Sequence, residues 1–263
     1  MIGLSEIRKQ YPEQLQGFDR FMLREYLQHQ LLQIIYAHPL FGTRLCFMGG
    51  TCLRIVHGNQ RFSEDLDFDN LGLSVADWDG LPSLLEKELL LEGYQVTIHN
   101  VVKGAFHCHI RFPGLLHATG LSTHKEERIL IQLDTEPQHF DYMPQRFLLN
   151  RFDVFTEILT TPLNLLLAQK FYAILNRKRA KGRDFFDVIF LLARETQPDY
   201  TYLQAKVGIS TPQELLHALE LRLQSEVMEE VAADVRPFLF QPRDEQKIIQ
   251  FLPYMRQVLR GGV

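Results

Sequence analysis

The sequence predicts an α/β (α+β) protein in two parts, a core built on a mixed sheet followed by a helical C-terminal lobe. Two observations carry this. As far as about Asp141, short apolar or alternating runs interleave with stretches whose apolar residues recur at helical spacing. Beyond Pro144 only the helical spacing persists, with proline or glycine at its boundaries. The expected division is residues 1–143 and 144–263, as one two-lobed domain or two small ones, and a chain of 263 residues that is 46% apolar has enough to bury a sizeable core.

Taken in order, Asp19 to Ala37 is an amphipathic helix, marked by Phe21, Leu23, Leu27, Leu31, Ile34 and Ile35 and ended by Pro39. Arg44 to Met48 reads as a short strand stopped by Gly49 and Gly50, after which Thr51 to His57 reads as a helix. Asp65 to Phe68 alternates acidic with apolar residues, as a strand with one wet face does, and Asp69 is assigned to the loop after it. A helix over Leu81 to Gly93 leads to three more strands, Val96 to Val102, Phe106 to Phe112 and Ile129 to Asp134. In the second half helices are expected over Pro162 to Asn176, Asp184 to Glu195, Pro212 to Val231 and Arg243 to Leu259. A cleft between the two lobes is the expected place for a site.

Composition narrows the class. A formal net charge of -4 excludes a globally basic nucleic-acid coat and leaves a local basic groove open. Cys46, Cys52 and Cys108 are odd in number and lack CxxC spacing, so neither a disulfide framework nor a zinc knuckle is expected, and a reducing compartment fits. The N-terminus lacks the basic start and apolar run of a signal peptide, and no stretch approaches the ~18 to 20 apolar residues of a membrane span. A cytoplasmic protein with no membrane partner is the expectation. The ten histidines show no HExxH spacing, and His107 and His109, read as sharing one strand face, are given no role.

The chemistry lies in Phe47-Met-Gly-Gly-Thr-Cys-Leu-Arg54 and Arg61-Phe-Ser-Glu-Asp-Leu-Asp-Phe68. Alternate strand residues share a face, so Asp65 and Asp67 point one way and Leu66 and Phe68 the other. Two carboxylates side by side repel, and a hard divalent cation with oxygen ligands relieves that repulsion; magnesium keeps a few carboxylates, waters and substrate phosphates as its shell. Gly49 and Gly50 let the backbone approach a ligand closely, and Thr51 at the helix start adds a hydroxyl to free N–H groups and a positive dipole end, all suited to a triphosphate. Asp134, closing the apolar run Ile129 to Leu133, is the candidate for a third carboxylate that ligates a second ion or takes up the acceptor proton. Lys170, in an otherwise apolar helix, is the candidate for neutralising the polyphosphate leaving group.

Together, GGT, R-x-S-x-D-L-D-F, a carboxylate closing a strand, a lysine in a helix and R-D-x-x-D resemble the AbiEii toxin family of nucleotidyltransferases. The matching residues are Gly49, Gly50, Thr51, Arg61, Ser63, Asp65, Asp67, Asp134, Lys170, Arg183, Asp184 and Asp187, and the likeness runs from about Leu45 to Leu192. It implies a polymerase-β-like core that uses magnesium (or manganese) and an NTP such as ATP. It also implies a toxin of type IV toxin–antitoxin or phage-exclusion systems, with an antitoxin protein as partner. Some members are similar to enzymes that add nucleotides to tRNA 3′ ends, so the implied acceptor is the hydroxyl of an RNA. By the same carry-over Asp65, Asp67, Lys170 and Asp184 are the functional set, while Arg61 and Ser63 join the glycine turn in holding the nucleotide. Phe62 and Glu64 crowd the motif with a ring and an extra acid, and the tail after Glu195 matches nothing in the pattern.

Each feature also has a plainer reading. Gly49-Gly50 alone is a turn, Asp65 and Asp67 alone a solvated strand edge, and Asp134 a strand cap. Lys170 can snorkel to water, and Arg183, Asp184 and Asp187 can be an internal ion pair. The run from Arg177 to Arg183 puts five positive charges in seven positions, which is either a solvated loop or a contact for an RNA backbone. Two rival functions stay open: small-molecule (aminoglycoside-type) nucleotidyl transfer at the same site, and a catalytically inactive nucleotide- or protein-binding module.

Overall fold

The computed structural model of the chain describes residues 2–103 and 105–260. They form two compact units, Met1–His57 with Phe62–Thr160, and Gly58–Arg61 with Thr161–Val263. The sequence places the division at 143/144; in the structure the sheet unit runs on to Thr160 and gives up four residues, 58–61, to the other unit.

The first unit contains α1 (Leu4–Lys9), α2 (Asp19–Ala37), α3 (Phe41–Arg44), β1 (Leu45–Met48), α4 (Gly49–Ile55), β2 (Leu66–Asn70), α5 (Val75–Trp78) and α6 (Leu81–Leu91). It continues with β3 (Thr97–Lys103), β4 (Ala105–Pro113), α7 (Leu115–Ala118), β5 (Arg128–Glu136), β6 (Gln145–Arg151) and β7 (Val154–Thr160). Among the described residues these strands make one seven-stranded mixed sheet in the order β3-β4-β5-β2-β1-β7-β6. β1 runs antiparallel to β2 and parallel to β7, and β2 runs parallel to β5.

The sheet has one closed and one open face. Leu66, Phe68, Leu133, Ile131, Cys108, Ile110, Phe112, Leu149 and Ile158 are buried on the closed face, and α2 packs against β7 and β5. Their strand neighbours Asp67, Gln132, Asp134, His107 and His109 are half-exposed, which is the period-2 pattern of strands with one face in the core. Asp69, expected in a loop, belongs to β2; it is buried, and its carboxylate accepts from the backbone N–H of Gln138 and the Tyr142 hydroxyl, both at 2.9 Å.

β6 and β7 are absent from the sequence reading. They form a hairpin in which Phe147 opposes Ile158 and Leu149 opposes Thr156 on the buried side, while Arg146, Leu148, Asn150, Phe155 and Glu157 face outward. Two apolar residues on the polar face blur the alternation that marks a strand.

The second unit is helical: α8 (Leu163–Asn176), α9 (Gly182–Leu192), α10 (Tyr200–Val207), α11 (Pro212–Leu223), α12 (Met228–Val235), α13 (Gln246–Ile249) and α14 (Phe251–Arg260). The expected helix from Pro212 to Val231 is two, broken after Leu223. Arg61 joins this unit through a bridge to Leu239, and the Gln60 carbonyl accepts from the Phe240 N–H at 3.2 Å.

Candidate active site

Strand pairing builds the site. β2 and β5 lie in a register that sets Asp67 opposite Asp134, β4 adds His107 opposite Asp134, and β1 sets Met48 opposite Asp67. Residues paired across a sheet share a face, so Met48, Asp67, Asp134 and His107 form one row on the open side. The row brings together carboxylates 67 residues apart in the chain. Its far end is fixed by hydrogen bonds: His107 Nδ1–H donates to Asp134 Oδ1 at 2.6 Å, and Gln132 Nε2 donates to Oδ1 and Oδ2 of the same carboxylate at 2.8 and 2.9 Å.

At the other end, β1 turns into α4 through Gly49, whose φ of +77° only glycine adopts freely. A Cβ at this position would run into the Asp67 carboxylate. The glycine is therefore required twice, for its backbone angle and for the space it leaves beside the acid. Gly50 and Thr51 are buried. The Thr51 hydroxyl donates to the backbone carbonyl of Asp65, which ties the start of α4 to the segment entering β2. Asp65 itself is half-exposed and immediately precedes β2.

That entering segment is clamped to α2. Gln28 Nε2 donates to the carbonyls of Ser63 and Glu64 at 3.1 and 2.9 Å, and Arg24 pairs with Glu64 at 2.7 Å. Phe62 is buried and stacks on Phe21 with ring centroids 5.2 Å apart. Phe62 and Glu64, which crowd the sequence motif, are thus the residues that seat it. On the other side of the turn, Arg54 of α4 forks onto the buried carboxylate of Glu25 in α2 at 2.7 and 3.2 Å, and Arg151 and Tyr11 reach the same carboxylate at 2.8 and 2.9 Å. Burial works against the Glu25 charge, but the two guanidinium groups outweigh it and hold its pKa below the usual carboxylate value. Rigid supports therefore flank the glycine turn and both acids near it.

A hard cation fits these donors. Asp67 and Asp134 offer carboxylate oxygens on a face that water reaches, with a cradle at Gly49 that a Cβ would fill. Among the described residues no group of three or more His, Cys, Asp or Glu side chains is close enough to hold an ion alone. Phosphate oxygens and water would complete the shell, as magnesium prefers.

The remaining sequence candidates lie in the second unit and meet one another there. Arg61 Nε and Nη2 donate to Asp187 Oδ1 and Oδ2 at 2.7 and 2.6 Å, and Asn59 adds a third bond at 2.7 Å. Lys170 lies 2.9 Å from Asp187 and 3.0 Å from Asp184, and Arg177 lies 3.1 Å from Asp184. Burial works against both charges of the central pair; Arg61 and Lys170 nonetheless hold the Asp187 pKa down, and Asp187 with Asp184 holds the Lys170 pKa up. The sequence groups Arg61 with Ser63, but the chain sends Arg61 into the helical unit and Ser63 into the sheet unit.

Of the five cations from Arg177 to Arg183, three have local partners: Arg177 on Asp184, Lys181 at 3.8 Å from Asp234, and Arg183 over the Phe238 ring at 5.0 Å. Lys178 and Arg179 are exposed. His107 and Gln132 are the residues that the sequence reading passed over. The alternation of 107 and 109 is visible in sequence, but the register that sets His107 against Asp134 is not.

Known proteins share the fold that carries this site. JHP933 from Helicobacter pylori superposes with a TM-score of 0.55 at 14% identity, over 92% of this chain and 93% of that one. A second H. pylori protein, described as a nucleotidyltransferase, gives 0.56 at 17% identity, over 95% and 96%. At these identities the likeness is one of fold. No curated protein matches. One family's sequence model, described as "Nucleotidyl transferase AbiEii toxin, Type IV TA system", matches residues 30–257, and by that match, over a sheet that carries paired acids beside a glycine turn, the chain belongs to the AbiEii family of nucleotidyltransferases.

Proposed function

We propose that this chain transfers a nucleoside monophosphate from an NTP to the hydroxyl of an RNA acceptor, with a tRNA 3′ end as the leading case, and that a separate antitoxin protein holds it in check. The observation that carries this is the in-register pairing of Asp67 with Asp134 next to a glycine turn that only a residue without a Cβ can make. Asp65 and Asp67 would hold magnesium, with Asp134 on the acceptor side. The ion, when bound, supplies charge neutralisation for the phosphates and the pentacoordinate phosphorus. The backbone of Gly49 and Gly50 lies where a polyphosphate can approach it, and Asp134 faces the acceptor O–H. The acceptor oxygen forms its bond to the α-phosphorus as the bond to pyrophosphate breaks, and the hydroxyl proton leaves toward the Asp134 carboxylate. Lys178 and Arg179 are the cations of the basic run left to meet an RNA backbone.

The deciding experiment incubates the protein with each α-labelled NTP, magnesium and total RNA, in parallel with an aminoglycoside panel and with protein alone. Label in RNA that Asp67→Asn abolishes is the expected result. Label in the small molecules moves the acceptor to that class. No transfer to any acceptor, and no magnesium-dependent NTP binding, would overturn the reading.

A further inference from the structure

The hydrogen bonds at the far end of the carboxylate row have a pattern of their own. Asp134 receives three contacts from two side chains, one on the neighbouring strand and one two residues back on its own strand. His107 and Asp134 are each about a third exposed (31% and 30%). A half-exposed pair of this kind adds little to folding stability. An acid at the surface with no task would be left to water; this one is held on both oxygens. The two donors come from different directions and between them fix both oxygens of the carboxylate.

We infer that His107, together with Gln132, is a positioning residue for nucleotidyl transfer: it holds Asp134 in the orientation that faces Asp67 along the row. The inference rests on the function proposed above for Asp134. His107 acts through Nδ1, whose N–H is committed to Asp134; this hydrogen bond sets which ring nitrogen carries the proton. Gln132 grips both oxygens and so restricts rotation of the carboxylate, while His107 pulls it toward β4. Neither group touches the reacting atoms. Outer partners of this type, where they support a ligating or catalytic carboxylate, are worth about 10- to 100-fold in affinity or activity.

The test compares three variants of the full chain. His107→Asn puts an amide N–H near the position of Nδ1, His107→Gln puts one near Nε2, and His107→Ala removes both. Transfer of α-labelled NTP to total tRNA with magnesium is followed together with the unfolding transition, and ¹⁵N-histidine NMR of the parent and of Asp134→Asn reports the His107 ring. Expected for His107→Ala is a fall in kcat of about 10- to 100-fold, with little change in KM for the NTP and in unfolding. His107→Asn should recover to within about threefold of the parent and His107→Gln should not. In the NMR spectrum, the proton on Nδ1 should be evident in the parent and lost or moved in Asp134→Asn. Full activity in His107→Ala, or an Asn variant no better than Ala, would overturn the positioning role. Should the parent transfer no label to tRNA, the functional reading fails first. The NMR arm then decides this one separately, since a His107 ring without its proton on Nδ1 overturns it and a ring bonded to Asp134 supports it.

Discussion

Two clusters of acids stand out in this protein and they are built on opposite terms. Asp67 and Asp134 lie side by side on a sheet face that water reaches, and Asp134 is held by hydrogen bonds from His107 and Gln132. Asp184 and Asp187 are buried among Arg61, Lys170 and Arg177, so each negative charge has a cation within 3.1 Å. The first arrangement is half-exposed, while the second is closed off inside the fold. As aspartates in short motifs the two are alike, and only their surroundings tell them apart. The lesson is to ask of each acid what already neutralises it.

The comparison breaks most decisively at Asp187. Asp187→Ala leaves the Arg61 guanidinium buried with no carboxylate opposite it, and removing one partner of such a pair destabilises by about 3 to 5 kcal/mol. Urea unfolding followed by far-UV circular dichroism should show that loss. Trp78, the chain's one tryptophan, lies in the sheet unit, so its fluorescence serves as a separate reporter there. A transition within about 0.5 kcal/mol of the parent would show that the cluster is not structural.

Asp67→Asn tests the other cluster. It should lower transfer by a factor on the order of a hundred to a thousand, the scale of losing one electrostatic contact in an active site. The unfolding midpoint should stay or rise slightly, because the substitution removes a charge that repels Asp134. A clear loss of stability would make Asp67 a fold residue like Asp187.

Lys170→Met comes next. Asp187 keeps Arg61 and Asp184 keeps Arg177, so about 1 to 3 kcal/mol is expected, smaller than for Asp187→Ala. The sequence makes Lys170 a candidate contact for the leaving phosphate; its two carboxylate neighbours give it a structural part as well.

pH separates the units further. In the sheet unit, His29 is pushed down to about 4 by burial, so its folded pKa is below its unfolded one. The unfolded chain then binds the extra proton, and stability is full above about 6.5 and declines as pH falls toward 4. In the helical unit, the lowered Asp187 gives stability present above the ordinary carboxylate pKa and lost as pH falls through its depressed value. The raised Lys170 gives stability present below the ordinary lysine pKa and lost as pH rises through its elevated value. Unfolding monitored by Trp78 should therefore weaken between pH 6.5 and 4, before helical unfolding responds. A His29→Gln variant that keeps the same acid slope would remove His29 as its source.

The smallest effect belongs to the basic run. Lys178→Ala with Arg179→Ala should weaken RNA binding and lower its salt slope by about 2, one for each phosphate contact. Arg177 and Lys181 have acids of their own, and changing them should act more on stability. An unchanged salt slope in the double variant would return the whole run to a solvated loop.

How much of this could be read beforehand follows from what is local. The α2 helix, the first five strands and α8 and α9 announce themselves through periodicity, and Gly49 with Asp67 through a motif of neighbouring residues. The pairing of Asp67 with Asp134 is within reach, since both lie in recognisable strands. The hydrogen bond from His107 is not, because it depends on which strand lies beside β5. The assignment of Arg61 and Ser63 to different units is illegible for a related reason: they are two residues apart, and nothing in Arg61 to Ser63 says that the chain changes unit between them. The β6–β7 hairpin escaped because Leu148 and Phe155 sit on its polar side.

The four residues from 58 to 61 also bear on how the protein is made. A ribosome releases Arg61 well before its partner Asp187, 126 residues later, an interval of roughly 6 to 25 s at about 5 to 20 residues per second. During that wait Asn59 and Arg61 are a strip of chain without the helices they belong to, and α9 cannot bury Asp187 until they arrive at it. The helical unit is thus finished only by an early piece of the polypeptide. Cutting the gene at codon 161 would yield a fragment that keeps the buried acid and Lys170 but lacks the Arg61 guanidinium, so the second unit as it stands here draws on both ends of the cut.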